Sequence, residues 1–200
     1  MGIERIVPPL PLRTERLVLR TVVPGDAPAI GSYCADPTVT RYLPFPVLDA
    51  DGLAQRMERL VAATAPAEVG DFLALAAVHD GVLVGDLMLR FTAAHGEDRP
   101  PSIAELGWVF EPSYGGRGFA TEAARALVDL AFETYPLHRL MAQLDPRNTA
   151  SARLCERIGM THEAHTREDY ADREGGWSDT SVYGLLRHEW AGAATRVPAS

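Results

Sequence analysis

Along this chain, apolar residues alternate with polar ones over short stretches and recur every three to four residues over longer ones, so strands and helices are interleaved. Arg16 to Val22 sets Leu17, Leu19 and Thr21 against Val18, Arg20 and Val22, the pattern of a strand. Pro24-Gly25-Asp26 turns the chain, and Asp26 is placed to cap a helix over Ala27 to Tyr33. A second helix is predicted from Asp51 to Ala65, with Leu53, Met57, Leu60 and Val61 on one face. Phe72 to His79 and Val82 to Phe91 read as strands joined at Asp80-Gly81, a hairpin signal, and a polar loop follows over Thr92 to Ser102. Ala104 to Phe110 is short, apolar and aromatic, a strand that Pro112 ends because proline offers no N–H to a ladder. Beyond a glycine-rich turn, Ala120, Ala123, Ala124, Leu127, Leu130 and Ala131 share one helical face. Leu137 to Leu144 is another strand. Asn148 caps a helix to Ile158 that Gly159 ends. Met160 to Arg167 and Trp177 to Leu186 close as an antiparallel pair across Gly175-Gly176, and the tail after Trp190 is expected to be disordered.

This succession, strand, two helices, a hairpin, then strand, helix, strand, helix and two strands, describes an α+β sheet with helices on its faces. With 46% apolar and 23% charged residues, the 200-residue chain is expected to fold as one domain, its core spanning about 10 to 190. The net charge of −8 excludes nucleic acid as the expected ligand, which would need a basic patch. Cys34 and Cys155 have no metal spacing, His138 starts a strand, and the pair His162 and His165 lacks a third ligand nearby, so no metal is expected. The N-terminal residues carry an acid and an arginine but no apolar run, and no stretch is long enough to span a bilayer. A cytoplasmic protein, monomeric or homodimeric, is the expectation.

The chemistry concentrates between Glu105 and Phe132. Gly115, Gly116 and Gly118 precede a helix, and a glycine turn at a helix mouth exposes unpaired N–H groups beside a positive dipole end, which suits a phosphate or diphosphate. No lysine follows Gly118, which removes the Walker loop, and Thr121 occupies the last position of the dinucleotide fingerprint.

What remains, Gly115-Gly116-Arg117-Gly118-Phe119-Ala120, resembles the Arg/Gln-x-x-Gly-x-Gly/Ala acyl-CoA loop of the GNAT superfamily of N-acetyltransferases, with Gly115 standing where Arg or Gln is usual. The order of elements matches that fold too. Thr14 to Arg20, Gly25-Asp26, Asn148 to Ser151, Glu156 to Met160, Trp177 to Tyr183 and Glu189-Trp190 resemble the RimJ/RimL-like branch, over about residues 10 to 190. The resemblance implies a mixed, largely antiparallel seven-stranded sheet flanked by about four helices. It implies acetyl-CoA as co-substrate, held by Gly115, Gly116, Arg117, Gly118, Phe119, Ala120 and Thr121 at the diphosphate. The backbone of Trp108, Val109 and Phe110 would hold the pantetheine where the strand parts from its neighbour, with Asn148 and Ser151 alongside.

Acetyl transfer to an amine needs a base, an oxyanion donor and an acid for the departing sulfur. The resemblance points to the N–H of Val109 for the oxyanion. Glu105, a carboxylate on an otherwise apolar strand, is the candidate base. For the acid, many relatives place a tyrosine where Cys155 stands; the RimL-like pattern points to Ser151, with Cys155 or water as alternatives. Phe45 and one of His162 and His165 are candidates for the acceptor side, and the acidic hairpin of Glu168, Asp169, Asp172, Glu174 and Asp179 is either solvated or attracts a cationic amine. The expected acceptor is a primary amine on a small molecule, an amino acid or a protein N-terminus. An aminoglycoside- or polyamine-type enzyme and a non-catalytic acyl-CoA-binding module are the other readings.

Overall fold

The computed structural model describes residues 3–94, 101–173 and 175–194. Its strands are β1 (Leu12–Arg13), β2 (Val18–Thr21), β3 (Phe72–His79), β4 (Val82–Thr92), β5 (Ile103–Phe110), β6 (Arg139–Leu144), β7 (Thr161–Ala171) and β8 (Trp177–Leu186). Its helices are α1 (Ala27–Cys34), α2 (Pro37–Thr40), α3 (Ala50–Ala62), α4 (Phe119–Thr134), α5 (Thr149–Arg157) and α6 (Arg187–Ala194). The strands form one sheet in the order β1-β2-β3-β4-β5-β6-β8-β7, antiparallel throughout except between β5 and β6.

Period-two alternation divides the interior into two apolar layers. On one face Leu73 and Leu75 of β3, Leu87 and Leu89 of β4, and Ala104 and Leu106 of β5 pack with the Ala123, Ala124, Leu127 and Ala131 stripe of α4. On the other, the small side chains Ala74 and Ala76 let Ile30 and Tyr33 of α1 and Met57 and Leu60 of α3 come close. The hairpin at Asp80-Gly81 forms as expected, with both residues at positive φ, 48° and 81°.

Four expectations are corrected. Among the described residues the sheet has eight strands rather than seven, because the segment after Pro11 folds back as β1 on β2, Leu12 opposite Leu19. Six α-helices form among the described residues rather than about four; Asp36 caps the short α2 by accepting from Thr38 N, a local signal hidden beside Pro37. Asp26 does not cap α1: its carboxylate takes both terminal nitrogens of Arg20 at 2.7 and 2.8 Å and the N–H of Val23 at 2.9 Å. The tail expected to be disordered after Trp190 begins instead inside α6, which continues to Ala194, while 195–200 lie outside the described residues. Tertiary contacts hold α6: Arg187 donates to the carbonyls of Phe132, Tyr135 and Leu137, and the indole of Trp190 packs on Phe132 and donates to Asp129. Of the loop expected from Thr92 to Ser102, 95–100 also lie outside the described residues.

Candidate active site

The site is built where β5 and β6 separate. They pair over three rungs only, Ile103↔Arg139, Ala104↔Leu140 and Glu105↔Met141. Past that point β5 stays with β4 as far as Phe110, opposite Gly85, and β6 stays with β8 as far as Leu144, opposite Ser181. The flank of residues 106–110 that faces β6 therefore has no ladder partner. Main-chain groups in that position need hydrogen bonds from another source, and an extended ligand carrying amides has the right complement.

The gap opens into a cleft of about 1030 Å³. Its wall gathers Trp108, Val109 and Phe110 from β5, Gly115, Gly116 and Gly118 from the loop, Phe119, Ala120 and Thr121 from α4, and Asn148 and Ser151 from α5. Arg117 is not part of that wall; its guanidinium lies 5.3 Å from the Tyr114 ring centre and 4.7 Å from that of Phe119.

Gly118 is the N-cap residue of α4 at φ 83°, in the left-handed region, and no side chain caps the first turn. A Cβ there would stand 3.3 Å from a guanidinium nitrogen of Arg16. The first N–H groups of a sixteen-residue helix thus face the cleft without intrahelical partners, beside the positive end of its dipole. This cradle fits a diphosphate.

Glu122, in the first turn of α4, braces it from behind. Its carboxylate accepts from Thr14 Oγ1 at 2.6 Å, from Arg16 N at 2.8 Å and from Arg16 Nε at 2.7 Å. Burial pushes that carboxyl up, but these bonds outweigh it and hold it below the usual range. Arg16 in turn donates to the carbonyl of Arg117 at 2.9 Å. Where Gly115 lacks the side chain of an Arg or Gln, Arg16 brings a guanidinium to the loop from a partner 106 residues from Glu122 in sequence. No local pattern marks Arg16 for that place.

Asn148 caps α5, its Oδ1 accepting from Ser151 N at 3.1 Å, so the Ser151 hydroxyl is released from capping. Instead Ser151 Oγ accepts from the indole Nε1 of Trp108 at 3.1 Å. With that bond received, the hydroxyl keeps its own proton to donate. Cys155, one turn further, is fully buried in the core, and burial pushes its thiol up to about 12.

Glu105 stands on the last paired rung before the strands part. It is not in the cleft wall, and its carboxylate is bonded by Arg90 of β4. It shares a strand face with Val109, four residues and roughly 13 Å away at strand rise.

Opposite Val109 on β4 lies Asp86, 3% exposed, whose carboxylate takes the Tyr33 hydroxyl at 2.5 Å and Arg56 at 2.8 Å. Phe45 packs under the Arg56 guanidinium, 4.5 Å from its ring centre, and is a packing residue outside the cleft wall, which on this side uses Val39 and Leu43. Arg173 of the β7–β8 hairpin donates to the carbonyls of Thr40 at 2.7 Å and Phe45 at 2.6 Å, pinning the loop after α2. His162 stacks on Tyr183, and His165 lies 2.9 Å from Asp179; neither lines the cleft. The hairpin carboxylates bond locally: Asp169 accepts from Thr166, Asp172 from Gly176 N and Asp179 from Glu168 N. Glu174 lies outside the described residues. Among the described residues no group of three His, Cys, Asp or Glu is arranged to hold a metal, and no helix is long and apolar enough to cross a membrane.

Comparison with known proteins agrees with this architecture. The Acetyltransferase (GNAT) domain family matches residues 16–161. The uncharacterized N-acetyltransferase YnaD of Bacillus subtilis (strain 168) is 30% identical over 182 residues, covering 90% of this chain and 98% of that protein. The crystal structure of a GNAT-family acetyltransferase from Bacillus anthracis superposes with a TM-score of 0.74 at 28% identity, over 94% of this chain and 99% of that one. RimL, the ribosomal L7/L12 alpha-N-protein acetyltransferase, solved in complex with coenzyme A, superposes with a TM-score of 0.73 at 17% identity, over 88% of this chain and 97% of that one, a likeness of fold. The opened strand pair, the glycine-capped helix and these matches lead to one conclusion: the chain belongs to the GNAT family and is an N-acetyltransferase.

Proposed function

We propose that this enzyme moves an acetyl group from acetyl-CoA directly onto a primary amine, carried by a small molecule, an amino acid or a protein N-terminus. The observation that carries the reading is the parting of β5 from β6 beside the uncapped mouth of α4. Acetyl-CoA, when bound, supplies the activated thioester. The N–H groups of Gly116 to Thr121 hold the diphosphate by main-chain donation and the helix dipole. The free flank of Trp108 to Phe110 takes the pantetheine amides as a neighbouring strand would, with Asn148 alongside. The N–H of Val109 is placed to polarise the thioester carbonyl, a donor that needs no reorganisation during the reaction. Ser151 donates its proton to the departing sulfur.

Glu105 acts as base through water rather than by direct contact, because the ~13 Å of strand between it and Val109 exceeds the reach of a carboxylate. An α-amine, with a reference pKa near ~8, asks less of such a relay than a lysine amine near ~10.

Thiol release measured with acetyl-CoA and a panel of α-amino peptides, amino acids, polyamines and aminoglycosides tests the reading. Turnover on an amine is expected; no heat of binding from acetyl-CoA in calorimetry would sink it. Glu105→Gln is expected to lower kcat and change its pH profile while acetyl-CoA affinity stays near normal. An unchanged profile removes Glu105 from the role of base.

A further inference from the structure

Two arginines cross the seam where the sheet opens. The loop after α2 belongs to the half of the molecule built on β2 to β5: Leu48 N donates to the carbonyl of Cys34 at 3.1 Å, and Phe45 packs under the Arg56 guanidinium. Arg147 and Arg173 belong to the other half, one just after β6 and one between β7 and β8. Arg173 donates to the carbonyls of Thr40 at 2.7 Å, Arg41 at 3.3 Å and Phe45 at 2.6 Å, partners 128 to 133 residues away in sequence. Arg147, held by Asp145, bonds Ser178 Oγ at 3.2 Å and lies 5.9 Å from the ring centre of Tyr42. The loop is fastened to both halves, although β5 and β6 part after Glu105. Val39 and Leu43, which alternate in sequence with the fastened carbonyls, line the cleft together with Val109. With the cradle at α4 and the flank of Trp108 to Phe110 taken by the donor, they bound the room left for an acceptor. Arg173 is exposed and water competes for its bonds, so the clasp is closed without being locked.

We propose that Arg173 is a specificity-determining residue, whose clasp across the seam selects small primary amines, amino acids included, over the N-terminus of a protein. The inference rests on the acetyl-transfer reading above and narrows its acceptor. A polypeptide keeps its own chain in the entrance while its terminal amine reacts, whereas a small amine passes through whole. A bridge over the entrance therefore burdens the first and spares the second. A guanidinium suits the task because its planar fork spans two acceptors, here the Phe45 carbonyl from one terminal nitrogen and the Thr40 carbonyl from the other. An ammonium in the same place is a point charge without that span.

Size-graded alkylation tests the entrance without any acceptor. Leu43→Cys places a thiol in the cleft wall, while Cys34 and Cys155 are wholly buried. Iodoacetamide is expected to label that thiol at similar rates whether Arg173 is present or replaced by Ala. A maleimide bearing a bulky dye is expected to label it about tenfold faster in the Arg173→Ala background, and equal rates for the dye overturn the clasp. Thiol release from acetyl-CoA supplies the second arm. Wild-type kcat/KM is expected to be about tenfold or more higher for small amines than for peptides beginning with the same residue. Arg173→Ala is expected to narrow that ratio by raising the peptide values, with the KM for acetyl-CoA unchanged. Arg173→Lys keeps the charge without the fork and is expected to behave as Arg173→Ala; wild-type selectivity in it assigns the effect to charge and overturns the clasp. A wild-type preference for peptides overturns it too. Absence of turnover on every amine sinks the acetyl-transfer reading instead, and the alkylation rates still decide the clasp.

Discussion

The sheet changes character at the β5–β6 seam. From β2 to β5 it is covered on both faces; Leu19, Leu73, Leu75, Leu87 and Leu89 are wholly buried, and the interior polar group Asp86 has Tyr33 and Arg56 as partners. From β6 to β7 one face packs on α4 and α5, and β7 is exposed along its whole length. There the Arg139–Glu163 ion pair and the His165–Asp179 hydrogen bond lie toward solvent. The charges on β7, and the irregular register at His162/Ala164 and Thr166/Tyr170, also keep an exposed edge from pairing with other chains. The contrast teaches where a sheet can be opened. A half buried on both faces keeps the helix mouth rigid, and a half held on one face parts from it without breaking a core.

The first way to break this contrast is Asp86→Ala, which leaves Arg56 charged and buried without its acid. A loss of about 3–5 kcal/mol in urea denaturation is expected. Glu163→Gln, in the open half, is expected to cost under about 1 kcal/mol. Comparable losses would mean that the halves do not differ in the way their burial implies.

Gly118→Val attacks the seam itself. It places a branched side chain at positive φ and against Arg16, so heat from acetyl-CoA should vanish, an affinity loss of at least about 10²-fold, or ~2.7 kcal/mol. Cooperative thermal unfolding should persist, since the residue sits at a helix mouth and not in the core. Retained binding would move the cradle elsewhere.

Ser151→Ala removes the hydroxyl that Trp108 orients, and kcat should fall roughly 10²-fold with the KM for acetyl-CoA little changed. A rise in KM with kcat intact would make Ser151 a binding residue only.

The smallest effect sharpens the electrostatics of the brace. Glu122 titrates below its unfolded value, so its contribution is complete above that value, ~4.3, and fades as pH falls through the lower folded one. The Tm difference between wild type and Glu122→Gln, worth about 1 kcal/mol, should hold from pH 7 to about 5 and close in more acid solution. A gap that widens in acid would reverse the sign of the assignment.

How far the chain could be read depended on how local the deciding contacts were. The Asp80-Gly81 hairpin, the α4 stripe and the glycine mouth were legible because each is settled by neighbours within a few residues. The site was legible in part. Gly118, Asn148 and Ser151 stand at helix starts that local rules locate, and they meet in one cleft. Arg16 and Asp86 were not singled out, because their partners are far away in sequence, Glu122 for Arg16 and Tyr33 and Arg56 for Asp86. α6 was read as tail for the same reason: its anchors, Arg187 and Trp190, act on the end of α4 some 50 residues earlier.

The sequence by itself determined the order of the longer strands and helices, the glycine turn that leaves the backbone open at α4, and the cap at Asn148. These follow from side-chain period and from backbone conformations that only certain residues tolerate. Only the tertiary structure decided that β5 and β6 part after Glu105, that the indole of Trp108 bonds the Ser151 hydroxyl, and that Arg16 of the β1–β2 turn meets Glu122 at the mouth of α4. Register and charge pairing are properties of surfaces brought together by folding, and a one-dimensional pattern carries no information about which distant partner arrives first.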